Sequence, residues 1–306
     1  MNKTSKPEGG AAHYSGHETF PLRQMWLKKA FDCAQSDWTI SKSIFTDNDA
    51  IALFGVGKNM VASIKHWALA CEVMREENGS YLVTETARDI FRDGGLDPYS
   101  ENPATAWFVH WQLAGRGFRS TTWFFLFNHV LSPSFTREDL EGPLSEFASS
   151  IEPKRKLSGS TLSRDLETCL RSYSPRTAGA SPEDFAEPML GELGLISEER
   201  KGHYAFRRGP KATLPDGMFA YALLDHWDRA ATGVSTMAFE SIAYGEGSPG
   251  RVFKLDEDSV AERLFGLDEL TGGTLSWTDT AGLRQVHRKN FDSDELKAAM
   301  IVKAYD

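Results

Sequence analysis

The strongest constraint on the fold of this chain is a helix, a tight turn, a second helix and a hairpin in direct succession. Gly55-Val56-Gly57 forms the tight turn, and Lys58 to Ala70 repeats its apolar residues at steps of three and four, as an amphipathic helix does. Asn78-Gly79 then separates two short apolar segments, which is typical of a two-residue hairpin. Thr84 is a suitable N-cap for the helix that follows. This order predicts a winged helix-turn-helix within residues 13–95.

The helix from Lys58 to Ala70 is the element predicted to contact DNA. Its apolar stripe faces the core, and the opposite face offers groups that reach base edges or phosphates. The alternative is a winged helix that binds protein. A phosphate-binding Walker loop is excluded, because it needs glycine where Ala52 stands and Ser or Thr where Asn59 stands. The side chains predicted to bind DNA from this helix are Lys58, Asn59, Ser63, Lys65 and His66.

The charge of the chain is unevenly distributed. Its net charge is −9, which by itself argues against a nucleic-acid ligand. Besides Phe54 to Ala70, which holds two lysines and no carboxylate, two stretches are basic, Lys154 to Arg176 and Arg200 to Lys211, whereas Asp256 to Glu269 is acidic. These stretches are either phosphate-binding surfaces or ordinary solvated faces. Within the stretch from Lys154 to Arg176, the residues predicted to bind DNA are Lys154, Arg155, Lys156, Arg164 and Arg171.

The rest of the chain predicts a helix-rich α+β fold. Ala104 to Val130 is dense in aromatic residues, which predicts an aromatic-rich helical core over residues 96–150; base stacking is the alternative. His110 is interpreted as a hydrogen-bonded core histidine. Leu195-Ile196 and Tyr204-Ala205-Phe206 flank a second hairpin, which predicts a second winged element within a C-terminal α+β domain over residues 151–306.

Several further elements are predicted from local patterns. They are a helix from Glu18 to Ala34, a short helix from Asn48 to Leu53 capped by Asp47, a helix through Met189 to Leu193, and short strands over Val252 to Leu255, Thr274 to Trp277 and Arg284 to His287.

Composition also indicates the compartment. No apolar run approaches the roughly 20 residues that a membrane helix needs. Cys33, Cys71 and Cys169 lie far apart and form no CxxC pair, which argues against structural zinc and fits a reducing compartment. We therefore expect a cytoplasmic protein without a membrane partner.

Five segments, taken together, resemble a known family. They are Ser15 to Arg23, Gly55 to Trp67, Trp107 to Trp111, Ser160 to Tyr173 and Gly250 to Leu255. The set resembles the DUF4007 family of bacterial proteins, found beside sulfur-incorporating DNA-modification genes, and the resemblance covers roughly residues 13–305. The family includes the B component of the single-strand DNA phosphorothioation (Ssp) system.

The resemblance implies a DNA-binding protein of a modification or defence system that nicks one strand. Replacing a non-bridging phosphate oxygen by sulfur is consistent with a step that opens the backbone. The resemblance further implies three kinds of partner besides DNA: a cysteine desulfurase, an ATP-pyrophosphatase-type sulfur transferase and a P-loop ATPase.

Phosphodiester hydrolysis usually needs carboxylates that hold a hard divalent cation, so Mg²⁺ or Mn²⁺ is the expected cofactor. The densest candidate group is His17 as base, Glu18 as metal ligand and Arg23 as phosphate clamp. Asp165, beside Arg164, is the second candidate catalytic carboxylate and metal ligand. The alternatives are a helix start at Glu18 and an ordinary ion pair on a solvated helix face.

Two classes of function therefore stay open. The first is a metal-dependent nickase, which the family resemblance favours. The second is a non-catalytic DNA-binding adaptor that recruits sulfur-transfer enzymes, or a winged-helix transcriptional regulator. The absence of a PD-(D/E)xK or HNH nuclease motif favours the second class.

Overall fold

Helices and three small antiparallel sheets make up the fold, which is the helix-rich α+β class predicted from the sequence. The computed structural model describes residues 12–47, 49–174, 188–280, 282–289 and 292–306. Buried hydrophobic residues from Ala12 to Ala304 form one contiguous cluster. The N-terminal and C-terminal parts of the chain therefore share a core.

The elements of the described residues are as follows. The α-helices are α1 (Trp26–Phe31), α2 (Ala50–Phe54), α3 (Lys58–Ala70), α4 (Glu85–Phe91), α5 (Pro103–His110), α6 (Thr121–Asn128), α7 (Arg137–Ile151), α8 (Gly159–Tyr173), α9 (Asp216–Ala230), α10 (Phe239–Tyr244), α11 (Pro249–Val252), α12 (Glu257–Phe265), α13 (Leu267–Leu270) and α14 (Ser293–Lys303). The strands are β1 (Thr39–Ile40), β2 (Met74–Glu77), β3 (Ser80–Val83), β4 (Ser134–Thr136), β5 (Ile196–Arg200), β6 (His203–Phe206), β7 (Thr236–Ala238), β8 (Leu275–Thr280) and β9 (Leu283–Arg288). Short 3₁₀ helices cover Lys42–Phe45 and Met189–Leu193, and a π-helix covers Trp111–Arg116.

The predicted order of helix, turn, helix and hairpin is present in the N-terminal part. Helix α3 has the predicted bounds, and β2 and β3 pair antiparallel after it. Asn78 (φ 48°) and Gly79 (φ 84°) are both left-handed, as the favoured two-residue hairpin turn requires. Strand β1 adds to β3, giving the sheet order β1-β3-β2. The Thr84 side chain accepts a hydrogen bond from the Ala87 N–H and caps α4, as predicted.

The aromatic segment predicted to be core is buried in α5, the π-helix and α6. His110 lies within it and is fully buried. Its Nδ1 is 2.7 Å from the Tyr173 hydroxyl, and its Nε2 is 3.0 Å from the Val252 carbonyl oxygen. Burial lowers the pKa of His110 to about 3, so the ring is neutral. The prediction of a hydrogen-bonded core histidine is confirmed.

The helix predicted from Glu18 to Ala34 is wrong in its first part. Helix α1 begins only at Trp26. Glu18 (φ 46°) and Thr19 (φ 64°) are left-handed, and the Phe20 N–H donates to the His17 carbonyl oxygen in a tight turn. The local polar turn outcompetes the helical spacing that the apolar residues provide.

The strand predicted over Val252 to Leu255 is also wrong. Ser248 accepts a hydrogen bond from the Arg251 N–H, and Pro249 occupies the first helical position, so α11 starts here. The apolar residues that read as a buried strand are the end of this short helix and the turn that follows it. The strands predicted over residues 274–277 and 284–287 correspond to β8, which begins one residue later at Leu275, and to β9.

Two short helices differ in detail from their predictions. Helix α2 begins at Ala50, and Asp47 does not cap it; its N-cap is Asp49. Asn48, residues 184–187 and Arg176 lie outside the described residues. The segment through Met189–Leu193 is a 3₁₀ helix, and the second predicted hairpin is present as β5 and β6. Among the described helices, none is both long enough and apolar enough to cross a membrane.

Candidate functional site

A tight turn before α1 places His17 inside the molecule and Glu18 outside it. Gly16 has a φ of +111°, which an L side chain rarely adopts, and a Cβ there would lie 2.6 Å from His66 Nδ1. The Thr19 N–H donates to His17 Nδ1 (3.1 Å). His17 is therefore 4% exposed, whereas Glu18 points to solvent.

His17 is paired with Asp165, so the structure brings together two of the three predicted catalytic residues. His17 Nε2 lies 2.5 Å from Asp165 Oδ1, and Asp165 is 2% exposed. Because Nδ1 accepts from Thr19, Nε2 carries the proton that is donated to the carboxylate. The second carboxylate oxygen accepts a hydrogen bond from the Thr122 hydroxyl. Both oxygens of Asp165 are thus engaged by side chains within the core.

The pair also joins elements that are distant in the sequence. Asp165 belongs to α8 and Thr122 to α6, and the Ser63 hydroxyl of α3 donates to the His17 carbonyl oxygen (3.0 Å). The turn that carries His17 is consequently hydrogen-bonded directly to α3 and α8, and to α6 through Asp165.

Aromatic rings surround His17. It stacks on Trp67 with ring centroids 5.8 Å apart, and His66 and Trp123 contact it edge-on. Burial lowers the pKa of His66 well below its ordinary value, and the positive charge of nearby groups lowers it further. Within the described residues, His66 Nε2, Trp123 Nε1 and the Tyr14 hydroxyl are buried without a hydrogen-bond partner. His66 is thus a neutral ring with one unpaired nitrogen.

The predicted metal ligands do not form a preformed magnesium site. Mg²⁺ requires oxygen ligands that are free to meet at one point. Asp165 already holds two hydrogen bonds in the core, and Glu18 lies in solvent on the other side of the turn. Among the described residues, no group of three His, Cys, Asp or Glu side chains is placed to hold a metal ion.

The exposed face of α3 is narrower than predicted. Lys58 and Asn59 are exposed and Lys65 is half-buried. Ser63 (0% exposed) and His66 (5% exposed) do not lie on the exposed face, contrary to the prediction, because they turn inward to the His17 turn. The N-cap Gly57 leaves the first N–H groups of α3 without a side-chain cap.

The basic residues predicted to bind DNA between α7 and α8 and on α8 itself differ in their surroundings. Lys154, Lys156 and Arg164 are exposed, and no ion pair involves them within the described part of the chain. Arg155 pairs with Glu152 (3.1 Å). Arg171 is half-buried on α8.

Arg23 of the predicted His17 group is half-buried and lies on an aromatic ring. Its guanidinium carbon is 5.2 Å from the ring centroid of Trp26. The side chain is thus held at the start of α1, after the turn that carries Glu18.

A family model and two solved structures each match nearly the whole chain. A family model described as a protein of unknown function, DUF4007, matches residues 14–305. A crystal structure of magnesium ion-bound SspB is similar with a TM-score of 0.83 and 26% sequence identity, covering 94% of this chain and 86% of that chain. A second SspB crystal structure is similar with a TM-score of 0.82 and 25% identity over the same shares. No curated protein matches the chain.

Proposed function

The chain belongs to the DUF4007 family, and from this membership and the SspB-like fold we propose that it is the DNA-binding component of a single-strand DNA phosphorothioation system. The similarity to SspB over 94% of the chain carries this proposal. The partners we propose are those of such a system: DNA, a cysteine desulfurase, an ATP-pyrophosphatase-type sulfur transferase and an ATPase.

We propose α3 and the β2–β3 hairpin as a winged helix-turn-helix that meets duplex DNA. The support is the order of the elements and the composition of the exposed face of α3. Lys58 and Lys65 would contact phosphates, and Asn59 would reach a base edge. The uncapped first turn after Gly57 adds backbone N–H groups that suit a phosphate. Ser63 and His66 would act indirectly, by fixing α3 against the His17 turn.

The proposed activity on this DNA is the nicking of one strand, with Mg²⁺ or Mn²⁺. Its support is the family and the magnesium-bound SspB neighbour. His17, Glu18 and Asp165 are the proposed catalytic residues, with Glu18 and Asp165 as the proposed ligands, although their arrangement does not fit a preformed magnesium site. For His17 to act as a base, its Nδ1 would have to exchange the Thr19 N–H for another partner.

The second candidate function is a non-catalytic adaptor that holds DNA for the sulfur-transfer enzymes. One observation favours it: both carboxylate oxygens of Asp165 are already hydrogen-bonded in the core, one to His17 and the other to Thr122. In this case the His17–Asp165 pair orients helices and takes no part in chemistry.

DNA binding and DNA cutting are tested separately. Affinity for a short fluorescent duplex is measured over a range of salt concentrations. Replacing Lys58 and Lys65 by alanine should weaken binding and reduce the slope of log K against log salt by about 2, since two phosphate contacts are lost. The matched control removes Lys289 and Lys303, two exposed lysines of the C-terminal part. If both double variants changed the affinity and its salt dependence equally, α3 would not be part of the DNA interface.

Cutting is measured on supercoiled plasmid with Mg²⁺ or Mn²⁺. Open circles that disappear with EDTA and with Glu18→Gln support the nickase. Plasmid that is shifted on a gel but stays supercoiled supports the adaptor.

A further inference from the structure

The three sheets of the protein repeat one topology. Each sheet contains a short strand and a hairpin, and the short strand pairs antiparallel with the second strand of the hairpin. The resulting orders are β1-β3-β2, β4-β6-β5 and β7-β9-β8. The same strand order thus occurs three times, in three successive parts of the chain.

The helices follow the same repeat. A helix precedes each short strand: α1 before β1, α6 before β4 and α9 before β7. Further helices lie between each short strand and its hairpin, namely α2 and α3, α7 and α8, and α10 to α13. The first repeat is the proposed winged helix-turn-helix, so α8 corresponds by order to α3, and α12 is the longest helix at this place in the third repeat.

The corresponding helices differ in the charge of the residues that they expose. Helix α8 exposes Ser160 and Arg164. Helix α12 starts instead with acidic residues, Glu257 and Asp258, after its N-cap Asp256. Because the phosphates of DNA repel carboxylates, the exposed faces of the first two repeats are suited to bind DNA and that of the third is not.

The hairpin of the second repeat presents cations at its turn. Arg200 and Lys201 are exposed, and neither makes an ion pair within the described residues. The Glu198 side chain accepts a hydrogen bond from the Gly202 N–H (2.7 Å) and so shapes the turn. Glu198 keeps its charge in this bond, and the exposed Glu199 is a second carboxylate of the hairpin beside the two cations. From this placement we infer that the second repeat is a second module for duplex DNA, which binds through Arg164 of α8 and through Arg200 and Lys201 of the hairpin.

The two DNA-binding helices are tied to each other through the core. Ser63 of α3 donates to the His17 carbonyl oxygen, and His17 donates to Asp165 of α8. Both bonds are buried, so α3 and α8 keep a fixed relative orientation. A fixed pair of helices can contact two segments of one duplex, which lengthens the DNA site. This inference rests on the proposed DNA-binding function.

The experiment measures the salt dependence of duplex binding for single variants. Arg164→Ala and Lys201→Ala should each lower the slope of log K against log salt by about 1, because each loses one phosphate contact. The matched control is Lys289→Ala, an exposed cation of the third repeat. Hydroxyl-radical footprints of the wild type should show two protected segments, and those of an Arg164→Ala/Lys201→Ala double variant only one. Thermal unfolding confirms that each variant is folded.

The outcomes separate this inference from the proposed function. If the variants of α3 weaken binding while Arg164→Ala and Lys201→Ala behave like Lys289→Ala, the second module is wrong and DNA binding by the first stands. If the wild-type protein protects no duplex at any salt concentration, the proposed function itself fails.

Discussion

The pairing of His17 with Asp165 makes one residue a common hydrogen-bonding partner of α3 and α8. His17 uses both ring nitrogens and its carbonyl oxygen in hydrogen bonds to Thr19, Asp165 and Ser63. Removing the partner of a buried carboxylate lowers the free energy of unfolding far more than removing the partner of an exposed one, because no water replaces the lost hydrogen bond. The His17–Asp165 pair therefore contributes to the stability of the fold, whereas the exposed neighbour Glu18 does not.

This difference predicts unequal effects of two adjacent substitutions. His17→Ala should lower the free energy of unfolding by about 3 kcal/mol, since Asp165 keeps only Thr122 as a side-chain partner in the core. Glu18→Ala, one residue along and exposed, should change it by less than about 0.5 kcal/mol. Urea unfolding followed by tryptophan fluorescence measures both. Similar values for the two variants would contradict a structural role for the pair.

At the level of elements, the sequence predicted helices and turns correctly where the apolar residues of the pattern are the ones that pack into the core. The repeat of Met60, Val61, Ile64 and Trp67 identified α3 with its observed bounds. The Asn78-Gly79 dipeptide identified its hairpin, because only residues that tolerate a positive φ fit that turn.

The site was less predictable, because its geometry depends on contacts between distant residues. His17 and Asp165 are separated by 148 positions, and both were found as isolated candidates without a sign that they pair. Thr122 was missed, since it lies in a segment whose aromatic density indicates only a core. Ser63 and His66 sit on the polar side of α3 in the sequence pattern, but the His17 turn covers that side. A helical pattern distinguishes polar from apolar faces and does not show which loop packs on a polar face.

A second prediction concerns the junction of α3, the hairpin and α4. The Thr84 hydroxyl donates to the Glu72 carbonyl oxygen after α3 (2.7 Å) and accepts from the Ala87 N–H at the start of α4 (3.2 Å). Thr84→Ala should destabilise the protein by about 1–2 kcal/mol, the usual cost of losing an N-cap, as measured by urea unfolding. Thr84→Ser keeps the hydroxyl and should retain most of the stability. A serine variant as unstable as the alanine variant would assign the effect to the lost methyl group.

At the level of the whole molecule, an acidic protein separates its charges by region. The net charge of −9 includes the acidic α12, while the exposed cations of α3, α8 and the β5–β6 hairpin lie in the first two repeats. The repeats cut across the three segments predicted from the sequence, 13–95, 96–150 and 151–306. Composition alone divides the chain at the aromatic segment, but α6 belongs by topology to the second repeat and buries its rings in the common core.

Buried histidines join distant parts of this core and make the stability of the whole fold dependent on pH. Burial lowers the pKa of His110 to about 3 and of His226 to about 4, and lowers that of His66 as well. In the unfolded chain these rings have a pKa of 6.5, so between pH 6.5 and the folded value the unfolded state binds more protons. Their stabilising contribution is therefore complete above pH 6.5 and is lost as the pH falls. For His226 the loss between pH 7 and pH 5 should be about 2 kcal/mol.

Urea unfolding of the wild type and of His226→Gln at pH 8, 7, 6 and 5 measures this contribution. Because glutamine does not titrate, the variant should lose about 2 kcal/mol less than the wild type between pH 7 and pH 5. Between pH 8 and pH 7 the two proteins should change in parallel, since the histidine is neutral in both states there. Parallel curves down to pH 5 would mean that His226 is protonated in the folded protein as readily as in the unfolded chain. The core around α9 would then be open to water at this position.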